Sequence, residues 1–306
     1  MWKYLLLFLG VCLVCSLAGT GAGPAGDRST AVYFEAADPA GDDYGPGGYI
    51  YPQNFAFRPY EGLYDLLRFR VSGNDEALFF DLQIKEITNP WNAPEGFIHP
   101  VIHIYLDLAP GGRTEPLYEE MGVRMPPQYG WEVCLEGVGW ESSRLVYLGE
   151  GGKLETTSLA AAYLPDQNVI RLTVPRARLG SPEKHWRYYV LIGAYDGFGP
   201  GFLREVRPEP GDWHFGGAPA GQIVPRVLDL LAPERGKYTQ ERQLRPGKDG
   251  WPVVYPFNRR KELPWGYLVL GGLLLALGYY LSRRLVITGF WFKGAELDKD
   301  GLPVEK

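Results

Sequence analysis

Three aspartates lie close together near the start of the chain, in the stretch DPAGDDYGPGGYIYP (Asp38–Pro52). Glycine and proline interrupt this stretch so often that neither a helix nor a central strand is expected there. Calcium takes six to eight oxygen ligands, and Asp38, Asp42 and Asp43 offer carboxylates within one irregular loop. In a solvated turn, the same side chains would accept hydrogen bonds from nearby backbone N–H groups. The composition of the stretch is compatible with both interpretations.

Further carboxylates lie beside the ends of expected strands or in turns, where they can serve as additional metal ligands. These residues are Asp65, Asp107 and Asp196. Together with the three aspartates of the first loop, they form the predicted ligand set of a structural Ca²⁺ ion.

Aromatic side chains are the second group with recognisable chemistry. The chain has 20 tyrosines and 9 tryptophans. Their flat apolar rings can stack on the apolar faces of sugars, but they also fill protein cores. The candidate carbohydrate-binding residues are Trp91, Trp131, Trp213, Tyr49 and Tyr51, with Trp140 as a further tryptophan to consider. Under the alternative interpretation, Trp91 and Trp213 close the ends of the fold.

Other functions lack the residues that they need. A formal net charge of −5 argues against nucleic acid as a partner. His99 and His103 are four residues apart, which on a strand is ~13 Å and too far for one metal or haem iron. The sequence has no G-x-S-x-G, P-loop or HExxH motif, so we expect a protein that is not an enzyme.

Apolar segments near the two ends of the chain predict export and membrane attachment. Residues 1–22 carry Lys3, a 14-residue apolar run and small residues for cleavage, which is typical of a signal peptide. Leu263–Leu281 contains 19 residues without a charge, enough to cross a bilayer as a helix. We therefore predict a transmembrane helix over 263–282 and a short cytoplasmic tail over 283–306, with the body outside the cell.

Between these segments, apolar and polar residues alternate with the period of a β-strand. Strands are predicted over Leu66–Val71, Ala77–Ile84, Val101–Leu108, Gly130–Leu135, Arg144–Leu148, Val169–Val174 and Trp186–Ala194. A helical period appears only at Val224–Leu231. The pattern indicates an all-β protein, an antiparallel β-sandwich over residues 31–236. The polar, proline-bearing stretch 237–262 is predicted to be a linker or stalk.

Several phrases in this order resemble the C-terminal domain of glucodextranase. They are DPAGDDYGPGGYIYP (38–52), GLYDLLRFRVSGNDEALFFDLQI (62–84), EITNPWNAPEGF (86–97), IHIYLDLAPGG (102–112), GWEVCLEG (130–137), AYDGFGPGFLREVRP (194–208), WHFGG (213–217) and PRVLDLLAP (225–233). The resemblance covers about residues 31–245. It implies a jelly-roll or DOMON-like sandwich related to family-9 carbohydrate-binding modules. It also implies a calcium-bearing loop, association with carbohydrate-active or surface-layer proteins, and no hydrolysis.

The combined prediction is a membrane-tethered extracellular carbohydrate-binding module with a structural Ca²⁺ ion. The expected ligand is an α-glucan or a cell-envelope polysaccharide. The alternative is a protein–protein scaffold that docks a secreted enzyme, a transporter or a surface-layer component.

Overall fold

The computed structural model describes residues 30–140, 142–222, 224–246, 250–257 and 273–281. The chain divides into two units, Met1–Phe257 and Asn258–Lys306. The predicted signal peptide lies outside the described residues. So do the cytoplasmic tail, residues 263–272 and residue 282 of the predicted transmembrane segment.

The first unit is a sandwich of two antiparallel sheets, as the alternation of the sequence predicts. Its strands are β1 (Ala31–Ala37), β2 (Leu66–Gly73), β3 (Ala77–Ile84), β4 (Pro100–Asp107), β5 (Val133–Gly137), β6 (Arg144–Leu148), β7 (Leu154–Ser158), β8 (Ala160–Leu164), β9 (Val169–Pro175), β10 (Arg187–Ala194) and β11 (Asp229–Leu230). One sheet has the order β1-β2-β3-β9-β8, and the other has the order β11-β10-β4-β5-β6-β7.

The helices of the first unit are short and lie in the connections between strands or after the last strand. Helix α1 is Arg176–Leu179 and helix α2 is Gln240–Leu244, and single 3-10 turns occur at Glu119–Met121, Pro127–Tyr129, Glu150–Gly152 and Pro200–Phe202. The seven predicted strands correspond to β2, β3, β4, β5, β6, β9 and β10. The prediction of helical structure at Val224–Leu231 is wrong, because Asp229–Leu230 forms the edge strand β11 beside β10.

Strand β4 is buried along its whole length because both of its faces are covered. On one face, Ile102 and Ile104 point into the core between the two sheets. On the other face, Val101 and Tyr105 belong to a second apolar cluster. Segments that follow and precede the strands cover this outer face, and they contribute Met121, Val123, Leu244 and Val254.

The folded unit continues past residue 236, where the sequence predicts a stalk. Leu244 of helix α2 and Val254 are buried against the second apolar cluster. Arg124 pairs with Val253 and Tyr188 pairs with Phe257 through backbone bridges. The polar composition of this segment reflects its exposed side, while a few apolar residues anchor it. The linker prediction is therefore wrong for residues 237–246 and 250–257.

Residues 273–281, in the second unit, are helical. Leucines 273, 274, 275, 277 and 281 of this stretch are exposed. Within the described ranges, no helix combines the length and apolar character that crossing a membrane requires.

Candidate functional site

A group of carboxylates lies where the edge strands of the two sheets meet. Asp38 follows β1, Asp42 lies in the next loop, and Asp229 opens β11. One carboxylate oxygen from each of the three lies within 4.8 Å of the others. Asp43 and Asp65 are close enough to raise the pKa of Asp42 by charge repulsion. These five aspartates are called the carboxylate cluster below.

The carboxylate cluster connects the two sheets through backbone hydrogen bonds. Asp229, at the edge of one sheet, accepts a hydrogen bond at Oδ2 from the N–H of Leu66 in the other sheet, at 2.6 Å. Asp38 accepts one at Oδ1 from the N–H of Ala232, at 2.7 Å. Asp229 bonds across to the other sheet and Asp38 bonds to the segment that follows β11, so these two carboxylates hold this end of the sandwich closed.

Glycines allow the loop to fold around these carboxylates. Gly41 adopts φ +84° and donates its N–H to Asp65 Oδ2 at 2.8 Å. At Gly45, a Cβ atom would lie 2.3 Å from the ring of Tyr49, so only glycine fits. The side chain of Gln240 on α2 donates to the carbonyl of Asp42, which ties the loop to the segment after β11.

Within the described residues, one cation pairs with the cluster: Lys85 lies 3.6 Å from Asp65, and most of the other carboxylate charges are not compensated by a cation. Burial, reinforced by the charge of Asp229, holds the pKa of Asp38 far above its ordinary value. Burial also raises the pKa of Asp229. Burial together with Asp65 raises the pKa of Asp42 to about 6. Several buried carboxylates that repel one another in this way are stabilised when a cation neutralises them.

Three carboxylate oxygens have the environment of metal ligands. Asp38 Oδ2, Asp42 Oδ1 and Asp65 Oδ1 are buried and accept no hydrogen bond from the part of the chain that the structure describes. Asp38 and Asp65 are 8% and 0% exposed. Ligand oxygens on opposite sides of a Ca²⁺ ion are ~5 Å apart, which matches the spacing of the cluster. The residues present therefore fit a hard, oxygen-liganded cation.

The cluster is reached from solvent through a cavity of about 530 Å³. Asp42, which is half-buried, lies in its wall beside Tyr44 and Gln240. Glu234 and Glu241 also line the cavity. Acidic walls attract cations, so the cavity offers an ion a path to Asp42.

Asp107 and Asp196, the other two predicted metal ligands, lie elsewhere. Asp107 forms an ion pair with Arg187 at 2.8 Å. Arg187 faces Asp107 across the pairing of β10 with β4. Ile192 faces Asp229 across the pairing of β10 with β11, and it lies five residues, or ~17 Å, farther along β10. Asp196 accepts the N–H of Phe198 at Oδ1, at 3.1 Å, and so stabilises its own turn. The structure brings neither residue to the carboxylate cluster.

Two of the predicted carbohydrate-binding residues form an exposed aromatic surface. Trp91 and Trp213 are each 45% exposed. Their ring centroids are 6.2 Å apart, and the ring planes are inclined by 39°. We call these residues the tryptophan pair. Phe57 packs edge-on against Trp213 with ring centroids 5.9 Å apart and supports the pair from beneath.

Arg204 fixes the position of Trp213. Its guanidinium group donates to the carbonyl of Trp213 at 2.5 Å and to the carbonyl of Tyr195 at 2.6 Å. It also lies over the ring of Phe57, 5.2 Å from the centroid. A planar guanidinium can make these contacts together, whereas a lysine ammonium lacks the forked geometry.

Local turn chemistry positions Trp91. The side chain of Asn89 accepts the N–H of Ala93 at 2.7 Å and donates to its carbonyl at 3.0 Å. Asn92 adopts φ 54°, a left-handed conformation that asparagine tolerates better than most residues. The NPWN phrase therefore forms a closed turn with the tryptophan at its tip.

The loop that carries the aspartates is paired with the loop that carries Trp213. Ile50 and Gly216 exchange two backbone hydrogen bonds of 3.0 and 2.8 Å. Gln53 donates its N–H to the carbonyl of Gly211 at 2.8 Å. Between these contacts, the hydroxyl of Tyr51 donates to Asp43. The carboxylate cluster and the tryptophan pair are therefore parts of one hydrogen-bonded assembly.

The other three predicted carbohydrate-binding residues are buried or half-buried. Trp131 is 0% exposed, and its Nε1 donates to the carbonyl of Glu115 at 2.9 Å. Tyr49 is 4% exposed and donates to the carbonyl of Pro225 at 2.7 Å. Tyr51 packs between Tyr44 and Phe215. These three side chains support the fold and the loop, and a sugar ring cannot stack on Trp131 or Tyr49.

Asp229 and Arg204 are not predicted from the sequence as site residues. Asp229 is a single charge inside the apolar run Val227–Leu231, which is the signal that could have identified it. A charged side chain in such a run has to be paired or bound to a metal when it is buried. Arg204 has no comparable local signal, because its partners are set by the tertiary fold.

A comparison with known families supports the resemblance noted in the sequence. The family described as the C-terminal binding module, SLH-like, of glucodextranase matches residues 33–251, which is more than two thirds of the chain. The match includes the carboxylate cluster and the tryptophan pair. A search of curated proteins finds no significant relative.

Proposed function

The chain belongs to the family of SLH-like C-terminal binding modules of glucodextranase, and from this premise we propose that it is an extracellular carbohydrate-binding module. The matching family is a binding module and not a catalytic domain. Binding without catalysis needs a surface complementary to the sugar and a few fixed polar groups. The tryptophan pair supplies an exposed aromatic surface of this kind.

The observation that carries this proposal is the geometry of the tryptophan pair. Trp91 and Trp213 expose part of their rings although each is held by a turn and by neighbouring side chains. Rigid aromatic side chains lose little conformational entropy when they bind, so they are effective contact residues. We propose that the pair receives the apolar face of a sugar ring from an α-glucan or a cell-envelope polysaccharide.

A structural Ca²⁺ ion in the carboxylate cluster is the second part of the proposal. Asp38, Asp42 and Asp229 would be its first ligands, with Asp43 and Asp65 beside them. The ion would neutralise buried carboxylates and connect the edge strands of both sheets. Because the aspartate loop is paired with the Trp213 loop, bound calcium would also stabilise the position of the aromatic surface.

We further propose that the module acts at the cell surface. The predicted signal peptide would export it, and the uncharged segment Leu263–Leu281 would tether it to the membrane with residues 283–306 in the cytoplasm. Tethering keeps many copies at one surface, and multivalent contact with a polymer then offsets weak binding at each site.

The proposal is tested by presenting immobilised α-glucans and cell-wall polymers to the purified full-length protein with calcium present. We expect retention on at least one neutral polysaccharide and reduced retention when Trp91 and Trp213 are both replaced by alanine. A wild-type protein that binds no member of the panel would overturn the proposal.

A protein-binding scaffold is the second candidate, and exposed phenylalanines favour it. Phe198 is fully exposed and Phe55 is 73% exposed. Large apolar side chains of this kind are enriched at protein interfaces. Under this alternative, Phe55→Ala and Phe198→Ala would abolish capture of a surface or secreted protein while leaving retention on polysaccharide unchanged.

A further inference from the structure

A second surface with the features of a ligand site surrounds Trp251, in the segment whose composition predicts a stalk. Two cavities of about 520 and 400 Å³ share Trp251 and Gln222 in their walls. Both volumes lie in the usual range for small-molecule sites, ~300–1,000 Å³. Since the cavities share these two walls, they form one groove, which we call the Trp251 groove.

Trp251 is held in place from below. The guanidinium of Arg124 stacks over its indole ring, with its central carbon 4.1 Å from the centroid. The backbone around it is fixed as well, because Arg124 donates its N–H to Pro252 at 2.9 Å and accepts that of Val254 at 2.9 Å. A half-buried tryptophan that is held on one side in this way resembles a prepared stacking surface more than a mobile side chain.

Polar groups that could bond sugar hydroxyls line the same groove. They come from Glu120, Glu205, Gln222 and Arg226. The Arg226 guanidinium donates to the carbonyl of Leu203 at 2.9 Å and lies 3.8 Å from Glu205, so its position is fixed. Carboxylate, amide and guanidinium groups around one aromatic ring can accept and donate hydrogen bonds to a polyhydroxylated ligand.

The charged groups of the groove largely pair with one another. The described part of its walls contains the carboxylates of Glu119, Glu120 and Glu205 and the guanidinium of Arg226. Arg124 lies 3.8 Å from Glu119, and Arg207 lies 2.6 Å from Glu205. A neutral oligosaccharide suits such a groove, because its hydroxyls can donate to carboxylates and accept from guanidinium groups.

We infer that the Trp251 groove is a second carbohydrate-binding site, which takes a neutral oligosaccharide. The inference rests on the proposed function, since it assigns the same ligand class to another surface. Glu205 and Val206 line the groove, and this segment pairs with Phe215, two residues from Trp213. The groove and the tryptophan pair thus flank one short segment, where a long polysaccharide can reach both.

Titration calorimetry of the full-length protein with maltohexaose and isomaltohexaose tests this inference. We expect about two sites per chain in the wild type, and one site in either Trp251→Ala or the Trp91→Ala, Trp213→Ala double variant. Gln222→Ala changes an exposed residue and is expected to weaken the second site about threefold without affecting folding.

The two hypotheses fail in different ways. If Trp251→Ala and Gln222→Ala keep wild-type stoichiometry and affinity while the double variant loses binding, the second site is overturned and the proposed function stands. If Trp251→Ala abolishes all binding and the double variant has no effect, the Trp251 groove is the carbohydrate site, and both the role of the tryptophan pair and the expectation of two sites are overturned. A wild type that binds neither oligosaccharide overturns the inference.

Discussion

Asp229 at the edge of one sheet accepts the backbone N–H of Leu66 from the other sheet at 2.6 Å. Leu66 is 163 residues away in sequence. The contact places a buried carboxylate between the two sheets, beside Asp38 and Asp42. A bound cation at this position would therefore affect the stability of the whole sandwich.

Removal of calcium should lower thermal stability. At a calcium concentration of about 100 times Kd, the ion would contribute about 2.7 kcal/mol, or roughly 5–10 °C in Tm for a domain of this size. The measurement is a thermal unfolding curve with calcium and with chelator. Asp42→Ala with Asp43→Ala should abolish the difference, while Asp196→Asn, which lies outside the cluster, should preserve it. Equal Tm values in calcium and chelator for the wild type would refute the metal site.

Asp229→Asn separates the charge of this residue from its hydrogen bond. Asparagine keeps an oxygen that can accept the N–H of Leu66, but it is a poorer Ca²⁺ ligand because it is neutral. We expect the substitution to lower the free energy of unfolding by less than about 1 kcal/mol in chelator. In calcium the decrease should be larger by at least about 2 kcal/mol. Denaturant unfolding under both conditions measures this difference. A loss that is the same with and without calcium would mean that Asp229 acts through hydrogen bonding alone.

Arg204→Lys should weaken carbohydrate binding. Lysine cannot bond the carbonyls of Trp213 and Tyr195 together as the guanidinium does, so Trp213 would lose its fixed position. We expect about a tenfold loss of affinity and a loss of stability of about 1–2 kcal/mol. The matched control is Arg171→Lys, which breaks the pair with Asp81 on β3 and should lower stability without changing affinity. Unchanged affinity in Arg204→Lys would remove this residue from the binding surface.

His99 should make stability depend on pH. Burial, with the charge of Arg204, lowers the pKa of His99 from 6.5 to about 4. The unfolded chain therefore binds a proton below about pH 6.5 that the folded chain does not bind until about pH 4, so stability falls as the pH drops through this window. The maximum loss is about 3 kcal/mol.

The test compares the wild type with His99→Phe in denaturant unfolding at pH 7 and pH 4.5. The Phe variant should lose less stability than the wild type over this interval, because carboxylates contribute equally to both proteins. His185→Phe, which changes an exposed histidine, should behave like the wild type. Identical pH profiles for the wild type and His99→Phe would contradict the prediction.

Many strands of this fold can be predicted from the sequence, because buried and exposed residues alternate along them. Leu66–Val71 and Ala77–Ile84 are predicted and form β2 and β3, since one face of each packs into the core. Strands β7 and β8 are missed. Their residues are largely exposed or half-buried, so an apolar face does not mark them.

Only part of the candidate site can be predicted from the sequence, because local composition does not show which residues are buried or which distant segments pair. Asp38, Asp42 and Asp43 share one loop and are found from spacing, whereas Asp229 joins them through the pairing of β11 with β10. Trp131 looks like Trp91 in sequence, yet its position beneath the segment that covers the outer face makes it a core residue.

The most direct test of the central claim is titration calorimetry of the tryptophan pair against the neutral polysaccharide that retains the wild type, with calcium present. We predict that Trp91→Ala with Trp213→Ala weakens binding at that site by at least about 30-fold, or about 2 kcal/mol, with little change in Tm. Trp131→Phe serves as the control, and it should lower Tm while binding as the wild type does. Wild-type affinity at every site in the double variant would contradict the account.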